Sequence, residues 1–131
     1  MSINKESYFE QDYFAKSLGI RLTHCQDEYA RCEMTLTQAH KNGLGSLHGA
    51  VIFSLADIAF AAACNSVQSS IGLQADLKYL RKPQGEILTA EARAVSTSNR
   101  IGHYQVVISD ERGSSVAIFS STAYRLPPKS D

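Results

Sequence analysis

Residues 50–64 are apolar or small at every position except Ser54 and Asp57, and no proline interrupts them. A run that is apolar on all sides predicts a helix enclosed by other elements, not one lying on a surface. It falls short of the roughly 20 apolar residues that cross a bilayer, and it carries a carboxylate near its middle. That carboxylate, Asp57, has to be paired, solvated through a pocket, or neutralised. Just ahead of the run lie Gly43, Gly45 and Gly49 around His48. Such a loop can turn free backbone N–H groups outward.

The rest of the chain reads as a casing for these two features. Ser7 and Glu10 match a capping box, predicting a short helix over 8–18 with Phe9, Tyr13 and Leu18 on one side and Gly19 as its stop. Residues 20–25 alternate weakly. Ala30, Cys32, Met34 and Leu36 then fall on one face and Arg31, Glu33 and Thr35 on the other, the period of a half-buried strand. After the long helix only strand periods follow: Leu73, Ala75, Leu77 and Tyr79; Leu88, Ala90, Ala92 and Ala94; Tyr104, Val106 and Ile108; and a last run over 116–126 stopped by Pro127 and Pro128. Short connections predict that consecutive strands are antiparallel neighbours. The fold class expected is α+β, a single domain over 1–131 in which a curved antiparallel sheet of five to six strands curls round the helix. Flexible ends are expected at 1–6 and 127–131.

Charge narrows the partners. Lys and Arg together number 13, as do Asp and Glu. A chain with zero formal net charge is a poor fit to nucleic acid or an anionic membrane surface, so neither is expected as a partner. Any polyanionic ligand must be met by a few local cations. The three cysteines show no paired spacing, and His24, His40 and His103 show no metal-ligand spacing. The first residues lack the apolar core of a signal peptide, so a cytoplasmic location is expected.

At 100° per residue, Ala50, Ser54, Asp57, Ala61 and Asn65 share one small, polar stripe of the helix, while Val51, Ile52, Phe53, Leu55, Ile58 and Phe60 cover its other sides. The stripe can face a ligand closely. The Gly49 N–H stands among the unsatisfied donors at the positive helix end, where it can polarise a carbonyl and hold the oxyanion formed on attack. Asp57 can supply that attack, as nucleophile or as base for water. Eight positions at 1.5 Å per residue put the two about 12 Å apart, whereas one reacting carbonyl needs both within about 3–3.5 Å. Two copies with antiparallel helices side by side can set Gly49 of one opposite Asp57 of the other.

Asn42, Gly43, His48-Gly49-Ala50, Leu55-Ala56-Asp57, Ala59-Phe60-Ala61 and Cys64-Asn65 together resemble the hot-dog-fold acyl-CoA thioesterases, and most of all their phenylacetate-degradation branch. The likeness extends to residues 76–83, DLKYLRKP, and to the closing strands. The resemblance implies a helix wrapped by a sheet, two domains pairing into one continuous sheet, a homodimer as the minimum unit, and homotetramers. It implies hydrolysis of an acyl- or aryl-acyl-CoA to free acid and coenzyme A without metal or organic cofactor. Asp57 would be nucleophile or general base, the Gly49 N–H the oxyanion donor, Asn42 an orienting polar group, and His48 a loop-shaping or carbonyl-side residue. Ser54, Phe53, Phe60 and Leu77 would meet the acyl end, and one or more of Arg81, Lys82 and Arg100 the coenzyme A phosphates. Each also has a plain structural reading: a turn for Asn42-Gly43, a backbone-bonded loop histidine for His48, packing for Cys64, solvated strand ends for the arginines.

Two departures stand out. Ala50 occupies the place of a second glycine, and Gly72-Leu73-Gln74 lacks the serine or threonine that some relatives use to hold water, leaving Ser69, Ser70 or direct attack by Asp57. Two other readings use the same fold. A non-catalytic acyl-CoA binding or sensing module has no need of Asp57. A dehydratase wants a catalytic histidine and a carboxylate spaced for α-proton abstraction, a pattern this chain lacks.

Overall fold

The computed structural model describes residues 9–127. Helix α1 (Tyr13–Ser17) is followed by strands β1 (Ile20–Gln26) and β2 (Tyr29–Thr35), helix α2 (Gly49–Asn65), and strands β3 (Ser70–Tyr79), β4 (Ile87–Thr97), β5 (Ile101–Ser109) and β6 (Ser115–Arg125). All pairings are antiparallel, in one six-stranded sheet of order β1-β2-β4-β5-β6-β3. The sheet wraps α2, as the hot-dog resemblance implies.

Small side chains let helix and sheet approach. Leu55, Ala56, Ala59, Ala62 and Ala63 of α2 are fully buried, as are Ala30 of β2 and Ala90 and Ala92 of β4. With so little side chain between the backbones, the helix lies close on the strands and excludes water along most of its length. One end of this core is aromatic. Phe60 sits edge-on to Tyr104 at 5.6 Å between ring centroids and 6.0 Å from Phe119, which in turn meets Phe53 at 5.6 Å.

The first helix differs from the expected one. Ser7 and Tyr8, its expected start, lie outside the described residues, as do the chain ends at 1–6 and 128–131. Among the described residues, α1 starts at a second cap, Asp12, whose carboxylate accepts the Ala15 N–H at 3.0 Å. The new cap changes the helical phase. Ala15 is therefore the buried residue, while Tyr13, expected inward, is 74% exposed, and Phe9 and Leu18 still pack on the core. Gly19, at φ +73°, ends the helix.

The second difference is topological. Strand β3 does not pair with β4, the next strand in sequence; it crosses to the far edge beside β6. Three strand spacings of about 4.8 Å separate β3 from β4, roughly 14 Å, which residues 80–86 span with ease. The link runs past the β5–β6 turn and is fastened there by Asp110. The Asp110 carboxylate accepts N–H groups from Gln84 at 2.9 Å and from Arg112 and Ser114 at 3.0 Å. At the sheet edge β3 hydrogen-bonds on one side only. Leu73, expected on the buried face, falls at a bulge between Gly72 and Gln74 and is 55% exposed; Tyr79 is 57% exposed.

At the opposite end, the β1–β2 hairpin turns through Asp27 and Glu28, both at positive φ. The Glu28 N–H donates to Ser66 Oγ at 2.8 Å, and the Glu28 carboxylate pairs with Arg125 at 2.5 Å, tying the hairpin to the C-terminus of α2 and to β6.

The backbone N–H groups around Asp110, foremost that of Gln84, hold its carboxyl below the usual carboxylate range. A lowered folded-state pKa contributes stability that is present above the unfolded value and lost as the pH falls through the folded one. Asp110→Ala is therefore expected to lower the urea midpoint at pH 7. The gap from wild type closes as both are titrated to acid, which parallel denaturation curves check.

Candidate active site

The loop before α2 is built by Asn42 and His40. Asn42 Oδ1 accepts the N–H groups of Leu44 at 2.9 Å and Ser46 at 3.1 Å, and the Asn42 N–H donates to the Ser46 carbonyl at 2.7 Å. Its oxygen thus shapes the loop, leaving the Nδ2 amino group for any orienting role. His40 is buried and accepts the Thr37 N–H on Nδ1 at 2.9 Å, and its carbonyl accepts the His48 N–H at 2.9 Å.

The first turn of α2 sorts its own donors. His48 is the N-cap: its Nδ1 accepts the Ala50 N–H at 3.2 Å and its carbonyl the Val51 N–H at 3.0 Å. An accepting Nδ1 leaves the imidazole proton on Nε2. The residue between receives no such partner. Among the described residues, no protein acceptor takes the Gly49 N–H. It stands at the positive end of a helix of 17 residues.

A brace from the sheet edge fixes that turn. Tyr79, the last residue of β3, donates its hydroxyl to the Gly49 carbonyl at 3.0 Å. A Cβ at position 49 would stand 3.1 Å from that hydroxyl oxygen and 3.2 Å from the ring carbon bearing it. Glycine is what lets the phenol lie so close. Nothing local in the sequence connects residues 49 and 79; only the edge position of β3 does.

Along α2 beyond Gly49, itself part-exposed, the residues not sealed in the core are Ala50, Phe53, Ser54, Asp57, Ala61 and Asn65. Apart from Phe53, this is the stripe read from the helical period. Ser54 Oγ donates to the Ala50 carbonyl at 2.8 Å, and Asn65 fastens the helix end by accepting the Ser70 N–H at 2.8 Å. Ser70 Oγ is engaged with the carbonyls of Gln68 at 2.8 Å and Cys64 at 3.3 Å. Asp57 alone stands open. Among the described residues its carboxylate makes no hydrogen bond and no ion pair. Burial against the apolar helix surface raises its pKa, with a smaller push from the Asp12 carboxylate.

The remaining candidates divide. Phe53, 38% exposed, and Leu77, half-buried, reach the open side. Phe60 is 3% exposed, a core residue held between Tyr104 and Phe119. Burial pushes the Cys64 thiol up to about 12, which keeps it protonated and inert. A cleft of about 520 Å³ opens in front of Gly49, bounded by Leu36, Ile52, Tyr79 and the charged residues Lys41, Arg81 and Lys82. Arg100 is elsewhere: its carbonyl accepts the Arg125 N–H, beyond the C-terminus of α2. The helix also separates Gly49 from Asp57 by about 12 Å, so one protomer does not bring them together.

Comparison with known proteins places this arrangement. Residues 44–117 match the family described as Thioesterase superfamily. Acyl-coenzyme A thioesterase PaaI of Escherichia coli is 34% identical over 125 residues, which cover 94% of this chain and 89% of that protein. The structure of the E. coli PaaI protein from the phenylacetic acid degradation operon superposes with a TM-score of 0.90 at 33% identity, covering 96% and 93% of the two chains. A mutant of the phenylacetic acid degradation protein PaaI from Thermus thermophilus superposes at 0.84 with 31% identity, covering 88% of this chain and all of that one.

The raised pKa of Asp57 has a measurable cost. A carboxyl whose folded pKa lies above its unfolded one favours the fold while protonated, and that contribution is lost as the pH rises through the folded value. Asp57→Asn is therefore expected to raise the melting temperature at pH 7, modestly because the side chain is partly open to solvent. The gain should vanish below the carboxylate range, as calorimetric scans at the two pH values would read.

Proposed function

The chain belongs to the thioesterase superfamily, on its PaaI-like branch, and we propose that its catalytic site is completed by a second copy of itself. It is an acyl-CoA thioesterase, a hydrolase that releases free acid and coenzyme A. The observation that carries the site is the pair of groups on α2 left unengaged among the described residues: an amide N–H with no acceptor at Gly49 and a carboxylate with no donor at Asp57.

The thioester oxygen docks on the Gly49 N–H. As the carbonyl is attacked, negative charge collects on that oxygen, and the amide and the positive helix end stabilise it. His48 holds the turn by capping Ala50, and Tyr79 holds it from the other side through the Gly49 carbonyl. Asp57 of the other copy either takes a proton from a water that attacks the carbonyl, or attacks it directly to form a mixed anhydride that water then hydrolyses to the free acid; on either route the carbon–sulfur bond breaks and the coenzyme A thiolate leaves. An apolar setting that raises the carboxyl pKa also makes the carboxylate a stronger base. Neither a metal nor an organic cofactor takes part in this scheme.

The pairing is supported by β3. Among the described residues its outer ladder is uncovered, and the same edge carries Tyr79 to Gly49. Two such edges joined about a two-fold axis would lay the two α2 helices antiparallel, with Gly49 of each near Asp57 of the other. A homotetramer of such pairs is the assembly proposed. Phe53, Ser54 and Leu77 would face the acyl group, and the part of the relatives in phenylacetic acid degradation makes phenylacetyl-CoA the first substrate to offer. No helix among the described residues is long and apolar enough to cross a membrane; a cytoplasmic location accompanies the proposal.

Position 49 permits a clean separation of amide from glycine. It is the first residue of α2, where proline is tolerated, and His48 at φ −69°, ψ 130° already has the backbone that precedes a proline. Gly49→Ala adds a Cβ and keeps the N–H; Gly49→Pro removes the N–H. The proline variant should lose about 10²–10³ in kcat relative to the alanine variant, the usual cost of one oxyanion donor. Asp57→Ala should lose at least about 10² on phenylacetyl-CoA. Thiol release reads both, and full activity in either removes that residue from the scheme.

The shared site makes a separate demand. Gly49→Pro and Asp57→Ala chains, each inactive alone, should regain about a quarter of wild-type activity after mixing, unfolding and refolding together, since half of random dimers hold one intact site of two. No recovery on mixing would place both groups of a working site on one chain.

A further inference from the structure

We infer that His40 is a positioning residue for the hydrolysis: buried behind the loop, it holds the turn from which the Gly49 N–H is aimed. This rests on the thioesterase reading above and adds to it a residue that touches neither substrate nor reacting atoms.

Burial singles the residue out. Of the four histidines, His24, His48 and His103 are exposed, whereas His40 is 5% exposed. A buried polar side chain has to be partnered, and each of the others among the described residues fastens the fold. Ser66 and Arg125 hold the β1–β2 hairpin through Glu28, Ser121 donates to the Gln74 carbonyl of β3, and Asp110 clasps the link after β3. His40 instead fastens the loop that leads to the catalytic turn.

Its side chain closes one tight helical turn, Gln38–His40, by reaching back to the residue that starts it. Nδ1 accepts the Thr37 N–H at 2.9 Å, and the His40 N–H donates to the Thr37 carbonyl at 3.1 Å. Glutamate or glutamine usually makes that reciprocal contact. Here an imidazole makes it, and accepting on Nδ1 leaves its proton on Nε2. The turn is also tied to the sheet: the Leu36 N–H, one residue earlier, donates at 2.7 Å to the Glu86 carbonyl of the link ahead of β4.

Three rungs carry this anchorage to the helix. The His48 N–H donates to the His40 carbonyl at 2.9 Å, Lys41 bridges to Leu47, and the Asn42 N–H donates to the Ser46 carbonyl at 2.7 Å. The pair at the base of the ladder is His40 and His48. His48 caps α2, and Gly49 follows it with no side chain to hold its own backbone. The direction of the Gly49 N–H is therefore set by what grips His48 on one side and by Tyr79 on the other. Without the imidazole acceptor the Thr37 N–H loses its partner and the base of the ladder is free to shift. A displacement of about 1 Å at a catalytic group costs on the order of 10²-fold in rate.

The test asks whether His40 acts through the Gly49 amide. Thiol release from phenylacetyl-CoA is followed for wild type, His40→Leu and His40→Asn, and for the same changes in Gly49→Pro chains. Leucine fills the space without an acceptor; asparagine sets a carbonyl oxygen near the place of Nδ1. His40→Leu should lower kcat about tenfold or more with KM within about twofold, and His40→Asn should recover most of the loss. In Gly49→Pro chains, which have no N–H to aim, His40→Leu should change kcat by less than about twofold. The same loss in both backgrounds, a rise in KM that accounts for it, or no recovery with asparagine overturns the assignment. Should the leucine chain not fold, His40→Gln, whose oxygen sits one bond farther out, takes its place in the comparison. If wild type releases no thiol, the thioesterase reading fails, and the Gly49 amide cross-peak in ¹⁵N spectra decides His40 by itself. A peak that moves in His40→Leu and returns in His40→Asn sustains the assignment; a peak that stays put, or fails to return with asparagine, refutes it.

Discussion

A rigid helix sets the terms of this structure. Two groups that suit the same carbonyl ride on α2 more than two turns apart, and no side-chain rotation closes roughly 12 Å. Everything around the helix serves to hold it straight and keep one stripe of it open. The sheet covers the Leu55, Ala59 and Ala62 side, and alanines on both surfaces keep the backbones close. The hairpin turn at Glu28 and Asn65 pin one end, His48 and Tyr79 the other. The stripe left over holds the carboxylate. A protein that buried α2 completely would be better packed and would have no chemistry to offer.

Much of this is written locally. The helix, its open stripe and the five strand periods after and before it follow from spacing alone, because a half-buried element must repeat at its own period. The α+β wrap follows from a helix too apolar for any surface. What spacing does not carry is order in the sheet. The departure of β3 to the far edge depends on the Asp110 clasp and on the geometry of a closed wrap, and both join residues far apart in sequence. The first helix departs in a smaller way: its cap is Asp12, five residues after the expected Ser7, and that start turns Tyr13 outward.

The site divides along the same line. Gly49 and Asp57 are legible because helix position and isolation in an apolar run are sequence properties. Phe60 is indistinguishable in sequence from Phe53, since both lie on apolar faces of one helix. Only packing reveals that Tyr104 and Phe119 enclose the first and that the second reaches the open side. Asn42 and Ser70 illustrate how a polar residue in a promising place is absorbed by nearby backbone. Tyr79 is the reverse case, an ordinary strand residue that gains a role because the fold brings it to the mouth of the helix.

The bare rim of β3 has a consequence beyond the site. A strand of 10 residues with one bulge and an unmatched row of amides and carbonyls is a template that any extended segment can extend. The opposite rim, β1, is shorter, at 7 residues. In the pairing proposed above a second copy covers this rim, and scarcity, as much as heat, would then be a route to misassembly.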